Sequence, residues 1–172
     1  ALAVGIGIIH EREIDEINIL QATYKAMQIA VTRLEIKPEI LLVDGRPAKI
    51  KNFIQESIVK GDSKSLSIAS ASIIAKVTRD RIMLNYDKVF PEYGFASHKG
   101  YGSKEHILSI KKKLATPIHR KSFKPVFDYL PTFGYYKDMQ LLEKLGEQLV
   151  ACELIKNGYD IVDLDTKFLK KS

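Results

Sequence analysis

Hydrophobic residues recur every three or four positions between residues 11 and 35, which is the spacing of one face of an α-helix. Two apolar runs without that period, residues 39–43 and 57–59, predict short buried strands. Alternating helices and strands indicate an α/β fold. A further apolar run with two glycines, residues 1–9, predicts a strand buried on both faces. Because such a strand needs neighbours and nothing precedes it, we expect the chain to be the later part of a larger domain.

The rest of the chain is predicted to be mainly helical. The patterns indicate helices over about residues 68–89, 103–114 and 137–156, and a last strand over residues 159–162. Residues 91–102 predict a loop dense in glycine, tyrosine and histidine.

Positive charge is concentrated in the middle of the chain. Residues 44–125 carry seventeen basic and seven acidic side chains, whereas the segments before and after each have a net charge of −2. The middle segment therefore holds the whole excess, and we expect an anionic partner there. A basic surface without a ligand is the alternative. No apolar run approaches the roughly 20 residues that cross a bilayer. For that reason we expect no membrane association. The single cysteine, Cys152, excludes an intrachain disulfide, which favours a cytoplasmic location.

Two carboxylates follow the predicted strands. Asp44 comes directly after one strand and Asp62 shortly after the next, each beside a glycine. Open α/β sheets present ligand-binding groups at this place, so the two side chains are candidates to converge. Neighbouring carboxylates without His or Cys partners suit Mg²⁺ or Mn²⁺, and paired ions of this kind act on phosphodiesters. Ordinary turns with solvated carboxylates are the alternative.

Three polar segments have the chemistry of nucleic-acid contacts. Residues 60–65 combine two lysines, hydroxyls and free backbone amides at a helix start, which attracts phosphate. Residues 98–103 place Lys99 and Tyr101 between glycines, which suits stacking on a base or sugar. Residues 119–124 are basic with an interleaved aromatic. Each segment is weak evidence when taken singly.

The order of these motifs resembles a known family. The block Lys60-Gly-Asp-Ser-Lys-Ser-Leu-Ser-Ile-Ala-Ser-Ala-Ser-Ile-Ile-Ala-Lys-Val-Thr-Arg-Asp80 closely resembles the most recognisable block of bacterial ribonuclease HII. Other blocks resemble that family in the same order, from residue 1 to about residue 127: Ile14-Asp-Glu-Ile-Asn-Ile-Leu-Gln-Ala22, Leu42-Val-Asp-Gly45, Phe90-Pro-Glu-Tyr-Gly-Phe95, His98-Lys-Gly-Tyr-Gly102 and His119-Arg-Lys-Ser-Phe123.

The resemblance implies a ribonuclease H-like fold, with a mixed sheet flanked by helices. It also implies endonucleolytic cleavage of the RNA strand of RNA-DNA hybrids, and of single ribonucleotides embedded in duplex DNA, with Mn²⁺ or Mg²⁺ as cofactor. Of the four carboxylates that hold the metals in that family, the last two match Asp44 and Asp62. Asp80 matches a further acidic position, whose role is either catalytic or structural.

The resemblance also implies residues that bind the nucleic acid. Tyr101 matches the tyrosine beside the ribose at the RNA-DNA junction, where a 2′-hydroxyl distinguishes RNA from DNA. Asn18 and Gln21 match helix residues near the nucleic-acid backbone. Lys60, Ser65 and Lys99, in the matching blocks, complete the candidate nucleic-acid-binding residues.

Two parts of the sequence depart from the family pattern. The family's first two carboxylates lie in an early strand followed by Gly-Arg-Gly, and no Asp-Glu pair followed by Gly-Arg-Gly exists here. We therefore expect an N-terminally incomplete enzyme that is inactive as it stands; a non-catalytic nucleic-acid-binding remnant is the alternative. Residues 145–161 have no ribonuclease HII counterpart and are similar to the opening helix of the small YraN-type nuclease-like family. A generic amphipathic helix explains them equally well.

These comparisons predict a domain organisation. We expect a partial ribonuclease HII domain over residues 1–127, a linker over residues 128–137, and a helical extension over residues 138–172. The extension is either a helix alone or the start of a second nuclease-like domain. We expect the protein to be a monomer.

Overall fold

The computed structural model describes residues 2–162, in which five α-helices, four 3₁₀-helices and one two-stranded sheet occur. The α-helices are α1 (Glu11–Thr32), α2 (Leu66–Val89), α3 (Phe95–His98), α4 (Lys104–Lys113) and α5 (Met139–Lys156). The strands are β1 (Ile40–Asp44) and β2 (Ile54–Ile58). The 3₁₀-helices are Gly61–Ser63, Pro91–Tyr93, Val126–Tyr129 and Phe133–Lys137. The chain divides within α2, between Thr78 and Arg79, into two compact units, called unit 1 and unit 2 in chain order.

Unit 1 contains the sheet. Strands β1 and β2 pair in parallel, and Asp44 lies opposite Ile58 in the register. Alternate residues of β1 are buried, as expected for a strand with one covered face. These residues form a small core with residues from the connection to β2, and apolar residues of α1 pack against it: Leu41, Val43, Ala48 and Ile50 with Tyr24, Met27 and Val31. The predicted α/β class is therefore confirmed.

Residues 2–10 form no strand, so the prediction of a buried strand over residues 1–9 is wrong. The segment instead lies against α1. A Cβ atom added at Gly5 would lie 2.0 Å from the carbonyl oxygen of Ala30, and one added at Gly7 would lie 1.9 Å from that of Ala26. The two glycines thus allow the backbone to touch the helix. The apolar residues and glycines of this run indicate close packing, and the packing partner is a helix here, not neighbouring strands.

Helix α1 is interrupted at Asn18, whose φ of 68° and ψ of 164° are not helical. The Asn18 side-chain Oδ1 accepts hydrogen bonds from the backbone N–H of Leu20 at 3.0 Å and of Gln21 at 3.2 Å. That arrangement is an N-cap for the second part of the helix. This combination of φ and ψ is one that almost only glycine adopts, so the backbone is strained at Asn18. The predicted continuous helix is therefore two consecutive segments.

Unit 2 contains the larger core. Phe90 and Phe95, each 1% exposed, are its most deeply buried large side chains. Helix α5 contributes Ala151, Cys152 and Ile155 to the same core. The predicted helix over residues 137–156 is confirmed as α5, and its N-cap Asp138 accepts a hydrogen bond from the backbone of Gln140 at 2.8 Å.

Residues 159–162 form no strand, contrary to the prediction. They are held by α2: Asn85 Nδ2 donates to Asp160 Oδ1 at 2.7 Å, and the backbone N–H of Ile161 donates to Asn85 Oδ1 at 3.1 Å. Residues 163–172 of the predicted extension lie outside the described residues. The division of the chain after residues 127 and 137 stays a prediction. No helix within residues 2–162 has the length and apolar character to span a membrane.

Candidate active site

The two predicted metal-ligating carboxylates lie at one edge of the sheet. Asp44 is the last residue of β1, and Asp62 lies in the 3₁₀-helix that follows β2. Because the strands are parallel, both carboxyl ends lie at the same edge. The backbone N–H of Gly61 donates to Asp44 Oδ1 at 2.7 Å. The Asp44 carboxylate therefore contacts the residue directly before Asp62. That the two side chains share a metal stays a prediction.

The turn between β2 and α2 is closely packed around Gly61. A Cβ atom added at Gly61 would lie 2.5 Å from Cδ1 of Ile68 and 3.3 Å from Oδ1 of Asp44. Lys60, directly before it, adopts a left-handed conformation with φ of 56°, and its carbonyl accepts from the backbone N–H and the hydroxyl of Ser63 at 3.2 and 2.8 Å. The absence of a side chain at Gly61 thus lets the turn approach both the helix and the carboxylate.

Two candidate nucleic-acid contacts border this turn. The Lys60 side chain is exposed. Ser65 directly precedes α2, and its backbone N–H donates to the Gly61 carbonyl at 2.8 Å. The start of α2 thereby lies next to the two carboxylates, which places its N-terminal partial positive charge beside them.

The donor set at this edge fits a hard divalent cation. Asp44 and Asp62 are exposed carboxylates, and among the described residues Asp62 has no hydrogen-bond or ion-pair partner, whereas Asp44 has the Gly61 N–H. Their remaining oxygen lone pairs are of the kind that Mg²⁺ and Mn²⁺ prefer. Within residues 2–162, however, no group of three or more His, Cys, Asp or Glu side chains is arranged to hold a metal. The edge therefore offers two carboxylate ligands and not a complete site.

Unit 2 carries the candidate ribose contact. The Tyr101 side chain is exposed, and the Arg79 guanidinium carbon lies 4.4 Å from the centre of its ring, a cation–π contact. Gly100, with φ of 75°, precedes it, and a Cβ atom there would lie 3.0 Å from Cε of Met83. Lys99 is also left-handed, with φ of 50°, and its ammonium donates to the carbonyl of Ala96. The loop thus presents an aromatic ring backed by a cation.

Sequence reasoning missed a pair of buried histidines behind this loop. The ring nitrogen Nδ1 of His106, on α4, lies 2.9 Å from the Tyr101 carbonyl oxygen, and its Nε2 lies 3.0 Å from Nε2 of His119. Nδ1 of His119 is 3.0 Å from the backbone nitrogen of Thr116. The available signal was the helical spacing of His106 and Ile110, which are both buried on α4.

Burial determines the charge of the histidine pair. Desolvation, followed by the neighbouring His106, lowers the pKa of His119 from 6.5 to about 4. Desolvation also lowers the pKa of His106. His119 is therefore neutral near neutral pH and adds no charge to the basic segment 119–124. In that segment Arg120 lies over the ring of Phe123, with its guanidinium carbon 4.8 Å from the ring centre.

The remaining candidates have local contacts only. Asp80 Oδ1, in unit 2, lies 4.0 Å from Nη1 of Arg79 on the same helix. Gln21 is exposed on α1, where its backbone is capped by Asn18. These contacts assign no chemical role to Asp80, Asn18 or Gln21, whose predicted roles stay predictions.

Comparison with protein families shows a match to the model of ribonuclease HII over residues 2–126. Ribonuclease HII of Clostridioides difficile and that of Acetivibrio thermocellus are each 61% identical to this chain over 123 residues, 72% of this chain and 48% of each relative. Ribonuclease HII of Geobacter metallireducens is 54% identical over 130 residues, 76% of this chain and 61% of that protein. The chain spans about half the length of the first two relatives.

A solved structure agrees with the fold. The crystal structure of the ribonuclease H2 from Pyrococcus horikoshii OT3 matches with a TM-score of 0.58 and 25% sequence identity, covering 76% of this chain and 68% of that one. This similarity confirms the predicted ribonuclease H-like fold. The family match includes both parallel strands, the turn with Asp62 and the loop with Tyr101. On these grounds the chain belongs to the ribonuclease HII family.

Proposed function

We propose that the chain forms part of a divalent-metal-dependent endonuclease that cleaves the RNA strand of RNA-DNA hybrids and single ribonucleotides embedded in duplex DNA. The observation that carries the proposal is the position of Asp44 and Asp62 at one sheet edge, linked by the 2.7 Å hydrogen bond from Gly61 to Asp44. We propose that cleavage beside ribonucleotides embedded in DNA serves DNA repair.

Asp44 and Asp62 are the residues that would hold Mn²⁺ or Mg²⁺. When bound, the ion supplies Lewis acidity to the phosphodiester and favours attack by water. The Gly61 N–H holds the Asp44 carboxylate in one orientation, which reduces the entropy lost when a ligand binds. Attack on the phosphate at the 5′ side of the ribonucleotide leaves a 5′-phosphate and a 3′-hydroxyl.

Tyr101 and the basic middle of the chain, residues 44–125, are proposed to bind the duplex. The exposed ring of Tyr101 contacts the ribose, and Arg79 behind it limits the ring's freedom. Lys60, Ser65, Lys99, Asn18 and Gln21 are proposed to contact the nucleic-acid backbone. Because Oδ1 of Asn18 caps α1, its Nδ2 is the group left to donate to a phosphate.

A non-catalytic nucleic-acid-binding protein is the second candidate. It is favoured by the two-carboxylate site, since no larger group of metal-ligating side chains occurs within the part of the chain that the structure describes. The sequence also lacks an Asp-Glu pair followed by Gly-Arg-Gly. This candidate predicts duplex binding that weakens steeply with salt but no strand cleavage at any metal concentration.

A cleavage assay tests both candidates. The 172-residue chain and the same chain fused behind the preceding region of the Clostridioides difficile relative are incubated with a labelled duplex containing one ribonucleotide, with Mn²⁺ or Mg²⁺. We expect the chain alone to bind without cleaving and the fusion to cleave 5′ of the ribonucleotide. Asp44→Asn in the fusion should abolish cleavage, because it removes a carboxylate ligand.

The matched control is Glu39→Gln, which removes a negative charge just before β1 and leaves the carboxyl edge intact. This variant should cleave like the unaltered fusion. Undiminished turnover by Asp44→Asn would refute the metal-site assignment. Failure of every fusion to cleave, with salt-dependent duplex binding retained, would favour the non-catalytic candidate.

We also propose that the protein is monomeric and cytoplasmic. The support for a reducing compartment is its single cysteine, Cys152, which is 3% exposed in the core of unit 2. Light scattering after size exclusion tests the oligomeric state, and a dimer would contradict that part of the proposal.

A further inference from the structure

A chain of hydrogen bonds connects the Tyr101 backbone to Thr116 through His106 and His119. The Tyr101 carbonyl oxygen can only accept, so Nδ1 of His106 carries a proton. The backbone N–H of Thr116 can only donate, so Nδ1 of His119 carries none, and the Thr116 hydroxyl, 2.7 Å from the same nitrogen, is then a donor to it as well. The neutral rings then have one consistent arrangement, in which Nε2–H of His119 donates to Nε2 of His106 at 3.0 Å. Both tautomers are therefore determined by backbone groups at the two ends.

The surroundings keep both rings of this hydrogen-bonded series from Tyr101 to Thr116, here called the relay, neutral. His106 and His119 are 6% and 7% exposed. The titratable groups packed against the pair are His98, whose ring stacks on that of His106 with centroids 4.3 Å apart, and Tyr93, whose ring centroid lies 5.6 Å from that of His119. Phe95 packs on both rings. In His98, Nε2 faces the Tyr93 carbonyl at 2.8 Å and Nδ1 accepts from the Gly100 N–H at 3.1 Å.

The relay ends on the loop of residues 98–103, here called the Tyr101 loop. The Tyr101 carbonyl oxygen accepts from His106 and also from the backbone N–H of Ser103 at 2.8 Å. The direction of that carbonyl determines the peptide plane from which the exposed ring projects. A second proton on His106 would place two N–H donors against each other at 3.0 Å, between Nε2 of His106 and Nε2 of His119. A second proton on His119 would lie on Nδ1 and face the backbone N–H of Thr116, also at 3.0 Å.

We propose that His106 and His119 are positioning residues, which hold the Tyr101 loop in the conformation that presents the Tyr101 ring to a ribose. The inference rests on the proposed role of Tyr101. It assigns to the two buried rings a part in discriminating RNA from DNA that neither performs by touching the substrate.

Two amide substitutions at His119 separate this role from simple stability. His119→Gln places an N–H near the former Nε2 and retains a donor for His106, whereas His119→Asn retains an acceptor near the former Nδ1 for Thr116 but loses the donor. Both variants are neutral and leave one link of the relay. A purely structural role would affect them alike, and a positioning role affects the asparagine variant selectively.

Two measurements are made on the full 172-residue chain. The first is the affinity ratio between a duplex with one ribonucleotide and the same all-DNA duplex, for the unaltered chain, both His119 variants and Tyr101→Ala. The second is amide hydrogen exchange at Tyr101 and Ser103, with ¹⁵N shifts of the imidazoles to read the tautomers. We expect His119→Asn to lower the ratio and accelerate exchange by about fivefold, the size of one lost hydrogen bond, and His119→Gln to remain near the unaltered chain.

The outcomes separate this inference from the proposed function. If Tyr101→Ala lowers the affinity ratio but both His119 variants keep the ratio and exchange of the unaltered chain, the positioning role is wrong. If the unaltered chain shows no ribonucleotide preference, or Tyr101→Ala does not change it, the proposed role of Tyr101 fails. Hydrogen exchange at Tyr101 and Ser103 then decides by itself whether the two histidines hold the loop, and unchanged exchange in His119→Asn would show that they do not. A proton on Nδ1 of His119 in the imidazole spectra would also overturn it.

Discussion

Acidification should destabilise the fold through His119. Its pKa is lowered from 6.5 to about 4 in the folded protein, mainly because burial disfavours the charged ring. Between these values the unfolded chain binds a proton that the folded chain does not, so stability falls as the pH falls through this window. The stabilisation is complete above the unfolded pKa and is lost as the pH approaches the folded one. The full difference is about 3 kcal/mol.

Urea denaturation followed by far-UV circular dichroism measures this effect. From about pH 7.5 to about pH 5, before most carboxylates titrate, His119 should cost the unaltered chain about 2 kcal/mol of unfolding free energy. His119→Gln has no titratable group at this position, so its stability should fall by about 2 kcal/mol less over the same range. Parallel pH dependences for the two proteins would refute the burial argument, because His119 would then titrate alike in folded and unfolded chains.

Three further substitutions test local features of the fold by the same denaturation assay. Gly7→Ala should lower the unfolding free energy by about 2 kcal/mol or more, since its Cβ would meet the Ala26 carbonyl at 1.9 Å. The control Gly102→Ala, with open space around it, should change the unfolding free energy by less than about 0.5 kcal/mol. Equal effects would contradict the close approach of Gly7 to α1. Asn18→Ala should cost about 1 kcal/mol and Asn18→Gly less, because glycine tolerates the positive φ; the reverse order would contradict the cap. Tyr93→Phe should cost about 1 to 2 kcal/mol, since the Tyr93 hydroxyl donates to the Leu114 carbonyl at 2.6 Å, and a neutral result would mean that water replaces it.

The strands of the sheet show which patterns a sequence reveals. Strand β1 was predicted over residues 39–43 and occurs at Ile40–Asp44, because its apolar run is uninterrupted. Strand β2 starts earlier than predicted, at Ile54. Its polar Gln55 conceals the strand, but that side chain is satisfied locally, where Nε2 donates to the Ile50 carbonyl at 2.6 Å. A strand that contains polar residues can be recognised only when the hydrogen-bond partners of those residues are known.

Apolar runs at the ends of the described residues were misleading for a tertiary reason. Residues 2–10 and 159–162 have compositions that suit strands, yet each is bound to a helix instead. The packing partner decides between these outcomes, and no periodicity within nine or four residues identifies it. Asn85 shows this directly, because a single buried amide on α2 holds the second of these segments.

The site was predictable only where chain order determines position. Asp44 and Asp62 follow two successive strands, so a parallel arrangement is enough to bring them to one edge. The link between His106 and His119 joins residues from a helix and a later loop, and nothing in their spacing of thirteen residues requires contact. Sequence reasoning therefore found the candidate ligands and missed the groups that support Tyr101.

The separate supports of the two candidate groups give a last prediction. In unit 1 the Gly61 N–H orients Asp44, and in unit 2 His106 orients the Tyr101 carbonyl. His119→Asn should therefore reduce the preference for ribonucleotide-containing duplex without changing Mn²⁺ affinity, measured as free Mn²⁺ by electron paramagnetic resonance. Asp44→Asn should weaken Mn²⁺ binding by about tenfold or more, by loss of a carboxylate ligand, and keep the duplex preference. If His119→Asn weakens Mn²⁺ binding as well, the histidine pair supports more than the loop that it touches.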